Sequence, residues 1–106
     1  MVLRHATTRQ AWQQIQEQGL LVDRADRQAK IRGVWLHSPA QSAWAVVHTM
    51  RKHGVQLEDV VVVEVHVPRS QLRRFKRGLW YTQVDVSVSA LGACVSGASF
   101  GASAAE

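Results

Sequence analysis

The chain has 106 residues, which is one domain's worth of core and too little for two. Hydrophobic residues make up 46% and charged residues 20%, a balance that excludes a disordered chain. The formal charge of +5, with a pI of about 10.4, favours polyanionic partners, and the single cysteine, Cys94, excludes a disulfide framework within the chain.

Val2–His5 is the first expected strand. Thr7 reads as the N-cap of the helix that follows, because Gln10 stands three residues later in a capping-box arrangement. That helix is expected from about Thr8 to Gln18. Ala11, Trp12 and Ile15 share one face, and Gln13, Gln14, Glu17 and Gln18 face water. Gly19 suits the C′ position and Leu20 its apolar contact. The strand therefore delivers His5, Thr7 and Thr8 to a helix N-terminus, whose free N–H groups attract anions.

Asp23–Arg32 mixes both charges without a period and reads as a loop. Residues 33–37 form a short strand. Ser38-Pro39-Ala40-Gln41 then opens a second helix with Ser at N-cap and Pro at N1. Ala43, Trp44, Val47 and Met50 are its expected core face. Arg51-Lys52-His53-Gly54 places cations in its last turn and glycine after it, as the helix dipole favours.

Asp59–Val67 is the strongest strand signal. Four consecutive valines call for burial on both faces, hence a central strand, before Glu64 and His66 alternate outward. Ser70–Lys76 reads as a short helix or turn, and Leu79–Val88 as a strand. Beyond it the composition turns to Ala, Gly and Ser. A strand to about Val95 and a tail over 96–106 are expected, so the domain spans 1–95.

Neither an apolar h-region after Met1 nor a segment of membrane-spanning length is present, which makes a cytoplasmic protein without a membrane the expectation. The five histidines lack metal spacing, so no metal site is expected. His48 and His53 read as solvated. Trp12 and Trp44 read as core, whereas Trp35 and Trp80 lie on strands and are candidates for a cleft wall. Arg69, Arg73, Arg74, Lys76 and Arg77 form a basic run without an acid. With Phe75 and Trp80 beside it, the run suits contact with an RNA or DNA backbone.

His5-Ala6-Thr7-Thr8, then Ile15 and Gly19-Leu20, then Val34-Trp35-Leu36-His37, resemble the opening motifs of the ADP-ribosyltransferase superfamily. The small bacterial branches and the RNA 2′-phosphotransferases are the nearest in pattern. Val62–Pro68, Leu72 and Leu79-Trp80-Tyr81 resemble its later strands, so the likeness covers about residues 2–86. It implies an α+β fold: a mixed, mainly antiparallel split sheet with two packed helices. It also implies NAD as cofactor. His5 would then hold the nicotinamide-side ribose with Thr7 and Thr8 beside it. Trp35 and His37 would line the nicotinamide side, and Arg4 and Arg32 would steady the phosphates. The superfamily's first-motif glycine is Ala6 here. Its late glutamate has no counterpart, and Asp85 is the nearest stand-in for a catalytic carboxylate. The expected function is transfer of ADP-ribose from NAD to a nucleic-acid or protein acceptor. The alternatives are a non-catalytic basic module that binds nucleic acid, or a degenerate family member kept as an interaction domain.

Overall fold

Two long strands carry the domain, β1 (Val2–Thr8) and β5 (Val60–His66). In the computed structural model, which describes residues 1–25, 27–28 and 30–100, they pair antiparallel along their full length, from Val2 opposite His66 to Thr8 opposite Val60. β1 thus runs three residues past His5, where the sequence pattern placed its end. Val60, Val61, Val62 and Val63 are all buried at 0–2% exposure, as a central strand requires. Their branched side chains suit the pleat and lose little rotamer freedom there. Glu64 and His66 emerge on the outer part of the strand and pair with each other at 2.8 Å.

Four further strands complete the sheet: β4 (Val34–His37), β6 (Arg73–Lys76), β7 (Leu79–Thr82) and β8 (Leu91–Ser96). The order is β6-β7-β4-β1-β5-β8. Every pairing in it is antiparallel, so the expected mixed character is absent. A parallel neighbour would need a crossover connection. Here the link from the first helix to β4 instead carries a short 3-10 turn (Val22–Arg24) and a small antiparallel pair, β2 (Arg27–Gln28) and β3 (Ile31–Arg32), within the segment expected to be plain loop. Asp26 and Ala29 of that segment lie outside the described residues, as do residues 101–106 of the expected tail.

The helix α1 (Arg9–Gln18) begins one residue later than its pattern indicated. Thr8, not Thr7, is its cap: the Thr8 hydroxyl accepts from the Ala11 N–H at 3.1 Å. Gly19 ends it at φ +79°, donating to the Ile15 carbonyl. α1 lays Trp12 and Ile15 on a core of Leu3, Val34, Leu36, Val63 and Val65. α2 (Ser42–His53) covers the opposite face, where Val46 and Met50 pack on Val60 and Val62. The even and odd valines of β5 therefore serve two different helices.

α2 departs from its reading in two ways. Pro39–Gln41 forms a separate 3-10 turn, and Ser38 makes no side-chain cap. The buried face is Ser42, Ala45, Val46 and Thr49, while Trp44 is 44% exposed rather than core. The buried face lies about one position from the apolar pattern because Ser42 and Thr49, both polar, are buried on it. Its end is as read, with Gly54 in the left-handed region at φ +62° after three cationic or titratable residues. Ser70–Lys76 resolves into a 3-10 turn at Arg69–Gln71 and the edge strand β6. The strand expected over Leu79–Val88 stops at Thr82. Val86 then makes an isolated bridge to Leu20. β8 reaches Ser96, and a helical turn begins at Ala98, with Phe100 beside the second core.

Candidate functional site

β1 and β4 are neighbours that pair only once, at Arg4 opposite His37. Continued in that register, Ala6 would face Trp35, yet from His5 onward the two strands diverge while β1 stays paired to β5. One side chain spans the gap. The His5 ring donates through Nδ1 to the Trp35 carbonyl at 2.8 Å, across 30 residues of sequence. A carbonyl can only accept, so this contact fixes the proton on Nδ1.

A cleft of about 300 Å³ opens at this divergence. That lies at the low end of small-molecule sites. Its sides are His5–Thr7 of β1 and 33–37 of β4, which part here, and a helix closes it on each face of the sheet. One wall is α1 and the turn after it, through Gln14, Ile15, Gln18 and Arg24. The other is α2, through Trp44, Ala45, His48, Thr49, Lys52 and His53. Among the described residues, no Asp or Glu lines it. Its charge comes from Arg24 and Lys52, so it suits an anionic ligand.

Two polar atoms on cleft residues are buried without a hydrogen-bond partner: Nε1 of Trp35 and Nε2 of His48. Each such atom costs about 1–3 kcal/mol unless something satisfies it. Trp35 is held at 7% exposure by Tyr81, 5.0 Å away, and by Phe75, edge-on at 5.2 Å. His48 stacks on Trp44 at 5.1 Å. Burial lowers the His48 pKa, and Lys52 and His53 lower it further. His48 therefore offers a neutral ring.

His37 is the most perturbed group. It is 3% exposed, and its pKa falls from 6.5 to about 3 through burial first, then the charges of His5 and Arg4. It stays neutral at physiological pH. Arg4 donates to the Ser42 hydroxyl at 3.0 Å, and that hydroxyl lies 3.4 Å from His37 Nε2. An oxygen already accepting from Arg4 has its own hydrogen to turn toward the imidazole.

The fold thus gathers His5, Thr7, Trp35 and His37 at the cleft. Arg4 stands behind His37 rather than in the lining. Thr8 is occupied as the helix cap. Arg32 is exposed on β3 and outside the lining. Asp85 is outside it too: its carboxylate accepts from the Val22 N–H at 2.8 Å and so caps the turn after α1. The residues that sequence reasoning missed are Arg24, Gln14 and the α2 wall. The i, i+4 series Trp44, His48, Lys52 was the available signal, and reading Trp44 as core hid it. Of the basic run, Arg73, Arg74 and Lys76 lie on exposed β6, Arg69 and Arg77 flank it, and Arg74 sits 5.8 Å over the Trp80 ring.

Cys94 is exposed, and its thiol pKa is raised by partial burial against a smaller opposing effect of Arg9, so it is not an activated nucleophile. Among the described residues no helix is long and apolar enough to cross a membrane, and no cluster of three or more His, Cys, Asp or Glu is placed to hold a metal ion. No protein-family model matches the chain, and none of the curated proteins matches it.

Proposed function

We propose that this chain is a small NAD-binding protein of ADP-ribosyltransferase type, with NAD held in the cleft between β1 and β4. The observation that carries the reading is the cleft itself. It opens where the two motif strands diverge, it brings His5 to Trp35, and it leaves Trp35 Nε1 and His48 Nε2 unsatisfied. Among the described residues no acid lines the cleft, and Arg24 and Lys52 on opposite walls favour the pyrophosphate of a dinucleotide.

His5 is the residue assigned to the ribose, with its proton committed to Trp35 and its ring thereby oriented. Trp35 forms the apolar wall beside nicotinamide. Cleavage of the nicotinamide–ribose bond develops positive charge on the sugar, and catalysis would rest on positioning and on charge stabilisation. Asp85 has no place in that step, since it lies outside the lining and caps a turn.

Calorimetric titration with NAD tests the reading. Saturable binding is expected. His5→Ala should weaken it at least tenfold, about 1.4 kcal/mol, with the fold checked by circular dichroism. No heat at about millimolar NAD, a binding energy below about 4 kcal/mol, refutes it.

A further inference from the structure

A second recess of about 120 Å³ adjoins the cleft, and Trp44 and Leu79 belong to both. Its other walls are Gln41 and the β6–β7 turn, Lys76-Arg77-Gly78. Gly78 makes this possible. It sits at φ +77°, and a Cβ there would lie 2.7 Å from the Gln41 side chain that floors the recess. The two exposed aromatic side chains among the large hydrophobics, Trp44 and Phe75, flank this turn at 44% and 42% exposure. From Val65 to Val84 the sequence holds Arg69, Arg73, Arg74, Lys76 and Arg77 without one acid. All four residues of β6 are exposed. On one face of the sheet Arg73 stands opposite Tyr81, and Tyr81 opposite Trp35, with Phe75 edge-on to Trp35.

We propose that this groove, from the cleft past Trp44 and Leu79 to the β6–β7 turn, binds single-stranded nucleic acid, with a base on Trp44 and phosphates on Lys76 and Arg77. His48 stacks on one face of Trp44, which is still 44% exposed, and cations beside an accessible ring face are the pattern that backbone-tracking, base-stacking sites use. An acidic peptide would answer the charge but leave the exposed indole unused. A duplex hides its base faces in its own stack and cannot offer one to Trp44. The groove ends in the cleft, so the strand it holds is delivered to the NAD site as the acceptor. That last role rests on the cleft reading; the binding itself does not.

Fluorescence anisotropy of short labelled oligothymidylate and oligouridylate with the full chain tests the proposal. Both sugars are used because the groove's chemistry is shared, and the tighter one identifies the polymer. Binding should be saturable and should fall steeply between about 50 and 200 mM salt. Lys76→Glu and Arg77→Glu should each weaken it at least fivefold and reduce the log–log salt slope by about 0.7, the loss of one single-strand phosphate contact. Trp44→Ala should weaken it about fivefold or more, the lower end for one stacked base. Arg51→Glu, an equal charge change on an exposed α2 residue that lines neither recess, should leave it within twofold. Equal losses at Lys76 and Arg51, no loss at Trp44, equal binding of a duplex or of polyglutamate, or no binding at all would each overturn the groove. NAD calorimetry on the same preparation separates the two readings. Oligonucleotide binding without NAD heat removes the acceptor role and keeps the groove; NAD heat without oligonucleotide binding keeps the NAD site and removes both the groove and the acceptor role.

Discussion

Mild acid should destabilise this protein through His37. The ring is buried beside Arg4 and His5, and its pKa drops from 6.5 to about 3. In the unfolded chain the same ring titrates near its ordinary value of about 6.5. Below that pH the unfolded state binds a proton that the folded state refuses. The stability that neutral His37 carries is therefore complete above about pH 6.5 and is lost as pH falls toward about 3. The slope approaches 1.36 kcal/mol per pH unit. Between pH 7 and pH 5 the loss is about 2 kcal/mol, a large share of the margin of a domain this size. Urea unfolding at several pH values, for wild type and His37→Gln, measures it. Glutamine keeps a polar group near Ser42 and removes the titration. The wild-type curve should fall by about 2 kcal/mol more than the variant's over that interval. Parallel curves would refute the account of His37 as a neutral buried ring.

Two smaller predictions separate structure from site. Asp85→Ala should cost about 1 kcal/mol, the worth of a lost cap on the Val22 N–H, and leave NAD affinity unchanged by calorimetry; a tenfold loss of affinity would return Asp85 to the site. Gly19→Ala should destabilise by more than about 2 kcal/mol in denaturant, since the residue sits at φ +79° and a Cβ would run into the Val86 carbonyl; a cost under about 0.5 kcal/mol would mean the Leu20–Val86 bridge yields freely.

What could be read from the sequence was whatever rests on local rules. The four-valine run, the glycine caps at Gly19 and Gly54, and the polar face of α1 follow from propensity, capping and period, and each stands where the pattern put it. The α2 face was misread because two polar residues, Ser42 and Thr49, take buried positions, Thr49 donating its hydroxyl to the Ala45 carbonyl, while Trp44 turns outward. The antiparallel placement of β4 was not legible either. It depends on how the α1–β4 connector reverses the chain, a long-range matter that periodicity does not encode. The same holds for Asp85, whose partner is the Val22 N–H 63 residues away. His48 was missed for a third reason: its lowered pKa and its orphaned Nε2 exist only because Lys52, His53 and the sheet close around it.

The cleft has a physical cause in the way the sheet is tied. A continuous sheet would satisfy the facing backbone groups of β1 and β4 with ladder bonds and leave no room between them. Here the ladder stops after Arg4 and His37, and the His5 imidazole answers the Trp35 carbonyl in place of a backbone donor. A ring reaches farther than a peptide N–H, so it bridges the strands while holding them apart. β1 remains firm because β5 pairs with all of it, and β4 because β7 pairs with all of it. Each half is rigid by itself, and the space between them is defined by one side chain. His5 is then a spacer as well as a ligand group. The two roles part at one measurement: the affinity lost in His5→Ala should be partly regained in His5→Gln, whose amide can still donate to Trp35, if spacing matters, and not regained if only the imidazole's remaining nitrogen does.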